Sequence, residues 1–156
     1  MKLGMIGLGR MGGNMTERLV AGGHQVVAHA RSAESVAEAQ RKGATGAHSL
    51  EEVVRKLDAP RVVWLMIPVG KPVEETIQTL RPMLSGGDVI VDGGNSRFSD
   101  SARRARDLSE AGLGFLDAGT SGGVWGLKEG YCLMVGGEEK FFRVVEPAFA
   151  TLAPKE

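Results

Sequence analysis

One cysteine, Cys132, stands in 156 residues. A single thiol excludes an intramolecular disulfide framework and fits a reducing compartment. Inside the apolar run YCLMV it reads as a small buried hydrophobe rather than a reactive group. Charge of one sign is not in excess either: 19 Lys plus Arg face 19 Asp plus Glu. No basic stripe breaks that balance, so nucleic acid is not expected as the main partner. Long apolar runs are also missing. The opening MKLGMIGLGRMGG is soon interrupted by glycines, too early for a signal peptide or a membrane anchor. No other run approaches the roughly twenty residues that span a bilayer. A cytoplasmic location with no membrane partner is the expectation, and no metal site is read from the chain.

What is abundant is glycine, 23 of 156 residues, about twice the ordinary share. The hydrophobic fraction of 42% and the charged fraction of 24% fit one globular domain with a single core. Short apolar runs alternate with amphipathic segments. KLGMIG reads as a strand and Met11–Ala21 as a helix; QVVAHA is the next strand and Ala33–Lys42 the next helix. Ser49 starts a further helix, with Glu52 completing a capping box. RVVWLMI has the unbroken apolar character of a strand buried on both faces. A helix over Pro72–Leu84, the strand DVIVDG, a helix over Ser99–Ala111, the strands GFLDAG and GYCLMVGG, and a helix over Glu138–Thr151 complete the chain. This alternation predicts an α/β fold, a doubly wound, mostly parallel sheet with helices on both faces. Right-handed crossovers then bring the strand carboxyl ends to one edge, where open α/β sheets bind ligands. The glycine clusters fall just after strands, on that edge. No repeat or interdomain linker is visible.

The first cluster is Gly7-Leu8-Gly9-Arg10-Met11-Gly12, a G-x-G-x-x-G between a strand and a helix. Gly7 suits the tight turn, Gly9 the approach of a pyrophosphate, and Gly12 close helix–strand packing. The unpaired N–H groups of the helix then face the phosphates. Placed at the head of a βαβ unit, the motif makes a Rossmann-like dinucleotide site the expectation. The second strand ends in His29-Ala30-Arg31-Ser32, with no carboxylate for a ribose 2′-hydroxyl. Arg31 stands where a guanidinium can pair with a 2′-phosphate, so NADP is preferred and NAD is the second choice. Ser32 either adds a hydroxyl to that phosphate or caps the next helix. His24 and His29 read as ordinary turn and strand residues.

Later loops offer less familiar groups. Met66-Ile67-Pro68-Val69-Gly70 ends a strand, and its apolar side chains either flank the nicotinamide or belong to the core. In VDGGNSRFSD, Asn95 and Ser96 follow two glycines. An asparagine amide offers donor and acceptor together, so Asn95 can orient both nicotinamide and a substrate hydroxyl. The competing reading is an Asx turn with a helix cap at Ser99. LDAGTSGGVWG carries four glycines and no evident catalyst.

In their order and spacing, GLGRMGGNM, MIPVG, VDGGNS and DAGTSGGVWGLKEGYCLMVGG resemble the amino-terminal domain of the 6-phosphogluconate dehydrogenase family. The likeness is to its shorter bacterial branch within the β-hydroxyacid dehydrogenases, and it covers essentially the whole chain. It implies oxidative decarboxylation of 6-phosphogluconate to ribulose 5-phosphate, a step of gluconate use and the pentose phosphate pathway. It also implies residue roles: Asn95 touching cofactor and substrate, Ser121, Gly122 and Gly123 binding the sugar acid, and Ile67, Pro68, Val69 and the Gly7–Gly12 loop bordering the cofactor. Many members of the shorter branch carry an acidic residue where Ala30 stands. Ala30-Arg31-Ser32 is more similar to the Asn-Arg-Ser/Thr of the NADP users. The family's catalytic lysine, in a K-x-x-H-N segment, and its acid glutamate lie on helices beyond this domain. No such cluster occurs here: His24, His29 and His48 all fall early, and Lys128 reads as a solvated loop lysine. The expectation is a cofactor-binding domain that holds NADP(H) and a sugar-acid phosphate but turns over poorly alone. Family members are homo-oligomers through the helical domain, so apolar surface is expected to be exposed. Two other readings stay open, a domain of a 3-hydroxyisobutyrate-type dehydrogenase and a non-catalytic nucleotide-sensing module.

Overall fold

The computed structural model describes residues 1–155. Seven strands form one sheet: β1 (Lys2–Ile6), β2 (Gln25–His29), β3 (Thr45–Gly46), β4 (Val62–Leu65), β5 (Val89–Asp92), β6 (Gly114–Ser121) and β7 (Cys132–Gly136). Their order is β3-β2-β1-β4-β5-β6-β7. The helices are α1 (Arg10–Ala21), α2 (Ala33–Arg41), α3 (Leu50–Arg55), α4 (Lys71–Leu80), α5 (Phe98–Ser109), α6 (Gly126–Glu129) and α7 (Glu139–Leu152). Strands β1 to β6 pair in parallel, and only β7 runs antiparallel to its neighbour. The doubly wound, mostly parallel α/β architecture matches the expectation.

Helices cover both faces, so the central strands have no polar side. Val62, Val63, Trp64 and Leu65 are all buried. Alternation along the strand sends Val62 and Trp64 into a core shared with Met15, Leu19 and Phe149 of α1 and α7. Val63 and Leu65 enter a second core with Val53, Ile77 and Leu108 of α3, α4 and α5. The Trp64 ring meets Phe149 edge-on at 5.3 Å between centroids, a favoured aromatic geometry.

Local signals explain most boundaries. Ser49 caps α3 by accepting from the Glu52 N–H at 3.0 Å, and Glu52 returns a bond to the His48 N–H at 2.7 Å. That return bond goes one residue earlier than in a standard capping box. The helix expected over Pro72–Leu84 stops at Leu80, and Arg81–Met83 tighten into a 3-10 turn. Pro82 lacks the N–H that the next α-helical bond needs. Strand β4 ends at Leu65 rather than Ile67, although the Met66 N–H still bonds the Ile6 carbonyl at 2.7 Å.

Strand β7 departs most from the sequence reading. Only residues 122–131 separate it from β6, fewer than a parallel crossover requires. It therefore turns back and closes the sheet as an edge strand. Its residues alternate, with Leu133 and Val135 half-buried and Cys132 and Met134 exposed. Cys132 is thus exposed, not buried as expected, because it takes the outward register of a strand covered on one side. From β1 the chain winds outward to β2 and β3, then returns to β4 on the other side of β1. The loops after β1 and β4 diverge at that reversal and leave a crevice, the usual ligand position in such sheets.

Candidate functional site

The three fingerprint glycines meet three different environments. Gly7 follows β1 with φ +97°, and a Cβ there would lie 2.2 Å from the Met66 carbonyl oxygen. The turn and the close approach of the β4 loop both require glycine. A Cβ on Gly12 would lie 2.1 Å from the Gly7 carbonyl oxygen and 3.2 Å from the Met66 Cβ, so Gly12 lets α1 pack directly on that turn. Gly9 is the N-cap of α1, and a Cβ built on it meets nothing within 4 Å. No side chain caps this end and no acidic residue occupies its first turn. The α1 N-terminus therefore presents free N–H groups and a positive dipole end to open space, which is what a pyrophosphate needs.

That open space continues as a cleft of about 520 Å³ lined by Gly7, Leu8, Gly9, Ala30, Arg31, Met66, Ile67 and Pro68. The structure thus gathers most of the expected cofactor residues around one cleft. Met66 and Ile67 each line the cleft and pack against a core cluster. Arg10 opens α1 at the surface, and Met11 packs inward against the core. Val69 lies beyond the cleft, more than half exposed. Arg31 is exposed and forms no ion pair among the described residues. Ser32 caps α2, accepting from the Ser35 N–H at 3.3 Å. His29 bonds the Ala47 carbonyl, and His24 sits between the Met1 amine and the Thr151 hydroxyl.

Asn95 lines a second cleft of about 410 Å³ with Ser96, Asp117, Gly119 and Met134. Its backbone is left-handed, φ +59°, a conformation asparagine tolerates better than most residues. The loop is held from below by Asp92, the fully buried last residue of β5. One Asp92 oxygen accepts from the Gly94 N–H at 2.9 Å, and the other accepts from the Ser96 hydroxyl. Buried Arg104 of α5 lies 3.5 Å from Asp92 and donates to Glu74 of α4 at 2.6 Å. Two buried opposite charges with further bonds form a rigid support for the residues on either side of Asn95. The Asn95 amide oxygen accepts from the Thr120 N–H at 3.3 Å, which ties the loop to β6 one residue before Ser121. The amide N–H groups of Asn95 remain available to a ligand. Asp92, Arg104 and Thr120 escaped sequence reading. Asp92 carried a usable signal, an aspartate two residues before a glycine at a strand end; Arg104 carried none.

Ser121 and Gly123 are exposed and Gly122 is half-buried at the end of β6, lining neither cleft. Gly123 has φ +50°. Asp117 is the one titratable side chain lining the Asn95 cleft among the described residues. Burial pushes its carboxyl above the usual range, reinforced by the Asp92 charge and opposed by Ser101 and Arg104. Lys128 points to solvent, as expected. The large apolar residues that are more than half exposed, Val69, Phe98, Val124, Trp125 and Met134, lie on β7 or in segments following β4, β5 and β6. Among the described residues no helix is long and apolar enough to cross a membrane.

A parallel sheet with a glycine turn, an uncapped helix N-terminus and a cleft at the strand-order reversal is a dinucleotide-binding domain of the dehydrogenase type. The chain belongs to the 6-phosphogluconate dehydrogenase family: the model described as the NAD binding domain of 6-phosphogluconate dehydrogenase matches residues 2–155. It is 46% identical over 153 residues to an NAD(+)-dependent, decarboxylating 6-phosphogluconate dehydrogenase of Haloferax volcanii, covering 98% of this chain and 50% of that protein. The Plasmodium falciparum 6-phosphogluconate dehydrogenase, solved apo, with its cofactor NADP+ and with 6-phosphogluconate, superposes with a TM-score of 0.92 at 29% identity. That match covers 99% of this chain and 34% of the Plasmodium chain. A Mycobacterium tuberculosis 3-hydroxyisobutyrate dehydrogenase superposes with a TM-score of 0.89 at 28% identity, covering 99% and 52%. The chain spans between about a third and a half of the length of the curated relatives it matches.

Proposed function

We propose that this chain is the NADP(H)-binding part of a decarboxylating 6-phosphogluconate dehydrogenase and contributes positioning rather than proton transfer. The observation that carries the cofactor choice is Arg31, an exposed guanidinium at the end of β2, lining the cleft beside an alanine instead of a carboxylate. A 2′-phosphate accepts bidentate bonds from such a group, while a bare ribose hydroxyl gains little from it. The open space at Gly9 and the free α1 N–H groups fit the pyrophosphate. NADP+, when bound, supplies the hydride acceptor. Around it Leu8, Met66, Ile67 and Pro68 form a largely apolar wall that excludes water from one side. Asn95, fixed by Asp92 and Thr120, orients the substrate hydroxyl. Ser121, Gly122 and Gly123 offer hydroxyl and backbone donors to the sugar acid. Acid–base catalysis needs groups of tuned pKa within reach of that hydroxyl; among the described residues neither cleft is lined by a lysine, His29 lines the first, and half-buried Asp117 is the one titratable group of the Asn95 cleft.

The test is an assay of the 156-residue chain with NADP+ and either 6-phosphogluconate or 3-hydroxyisobutyrate. Binding of NADPH without measurable CO₂ release from 6-phosphogluconate is the expected result. Decarboxylation at a rate near that of whole enzymes overturns the positioning role. A preference for 3-hydroxyisobutyrate in binding overturns the substrate.

A further inference from the structure

One side chain of the cofactor helix reaches the loop that follows β6. Arg18 lies about two helical turns beyond the start of α1, half-buried. Its Nε donates to the Thr151 carbonyl at 2.9 Å and its Nη2 to the Ala153 carbonyl at 2.8 Å. Its Nη1 donates to the carbonyls of Leu127 at 3.1 Å and Lys128 at 3.4 Å. Thr151 and Ala153 close α7, and Leu127 and Lys128 belong to the single turn of α6. Helix carboxyl ends leave carbonyls unpaired and carry partial negative charge. A planar guanidinium with donors on three nitrogens caps two such ends at once, which a lysine ammonium does not.

The loop is seated as well as tethered. Tyr131 is fully buried, and its N–H bonds the Leu152 carbonyl at 2.8 Å. Its ring lies so close beneath the loop that a Cβ on Gly122 or Gly126 would come within 2.9 or 2.1 Å of it. A Cβ on Gly130 would lie 2.5 Å from the Pro154 nitrogen. The glycines of this run thus answer to Tyr131 and the end of α7, not only to a ligand.

We propose that Arg18 is a positioning residue for the Ser121–Gly123 loop: from the cofactor helix it caps α6 and α7 together and fixes that loop relative to the α1 N-terminus. The proposal rests on the reading of Ser121, Gly122 and Gly123 as sugar-acid donors. It makes the cofactor helix and the substrate loop one rigid unit, so placement of one sets placement of the other.

The test compares Arg18→Met, which keeps the stem and removes all four bonds, with Arg18→Lys. Amide hydrogen exchange across residues 121–131 is expected to quicken at least tenfold in Arg18→Met and by less in Arg18→Lys. The Kd for 6-phosphogluconate, titrated with NADP+ present, is expected to rise at least tenfold while the Kd for NADPH stays within twofold. Unchanged exchange in a folded Arg18→Met protein overturns the proposal. Equal weakening of both ligands also overturns it, because a merely structural residue would act on both. If the wild-type chain does not bind 6-phosphogluconate, the reading of Ser121–Gly123 fails, and exchange alone decides whether Arg18 holds the loop. If Arg18→Met does not fold, Arg18→Lys with wild-type exchange and affinities refutes the assignment.

Discussion

Gly9→Ala separates binding from folding more cleanly than any other change in the fingerprint. Gly9 has φ −61° and ψ −174°, which alanine adopts freely, and its added Cβ meets no atom within 4 Å. Losing a glycine from the unfolded chain stabilises by about 0.4–1 kcal/mol, while alanine is a poorer N-cap than glycine by a similar amount, so the two offset and Tm should stay within roughly 2 °C of the wild type. The same methyl occupies the space through which the pyrophosphate reaches the α1 N–H groups. Displacing the phosphate loses one or two bonds to a charged acceptor, each worth about 1.5–3 kcal/mol, so NADPH affinity should fall by roughly one to four orders of magnitude. Gly12→Ala is the contrast. Its Cβ would lie 2.1 Å from the Gly7 carbonyl oxygen, and overpacking of this kind costs about 1–3 kcal/mol, so Tm should drop by several degrees. Thermal melts and NADPH fluorescence titrations read both effects. A Gly9→Ala protein that binds NADPH like the wild type would refute the assignment of the helix N-terminus to the pyrophosphate.

Two further outcomes follow from the support beneath Asn95. Asp92→Asn keeps the acceptor for the Gly94 N–H but leaves Arg104 with Glu74 as its one remaining ion pair among the described residues. Unpairing a buried charge costs about 3–5 kcal/mol when nothing compensates. A loss of about 2–3 kcal/mol in urea unfolding is therefore expected, and a loss near zero shows that the pair does not hold the loop. Asp117 is held above the usual carboxylate range, chiefly by burial. The folded state then binds its proton more readily than the unfolded chain, so this residue costs stability above the raised value and the cost fades as pH falls toward the ordinary range. Asp117→Asn should raise Tm at pH 7 to 8, with a gain that shrinks on acidification; a gain that grows toward acid contradicts the sign.

The fold was legible because periodicity and punctuation agreed. Continuous apolar runs such as RVVWLMI implied strands buried on both faces, and glycine clusters marked the turns between them. The antiparallel return of β7 was not legible from its apolar pattern, which resembles the parallel strands; only the short 122–131 connection betrays it, and Cys132 was misplaced for that reason. At the strand ends, the position of the G-x-G-x-x-G turn and of Arg31 on one cleft was readable because each follows a strand directly in the sequence. The Asp92–Arg104–Glu74 support and the Arg18 clamp were not, since their partners are brought together by packing across 12 to 135 positions of chain. Gly122 and Gly126 belong to the glycine-rich run LDAGTSGGVWG, and Gly130 follows it. Part of their cause, the Tyr131 ring and Pro154, appears only in three dimensions.

The central claim is that the β1–β4 crevice takes a dinucleotide and that Arg31 reads its 2′-phosphate. Titration of the wild-type chain and Arg31→Ala with NADPH and NADH tests it most directly. The account predicts tighter NADPH than NADH binding in the wild type, a preference that largely disappears in Arg31→Ala, and NADH affinity that barely moves. Equal binding of NADH and NADPH by the wild type, or a preference that survives the substitution, would contradict it.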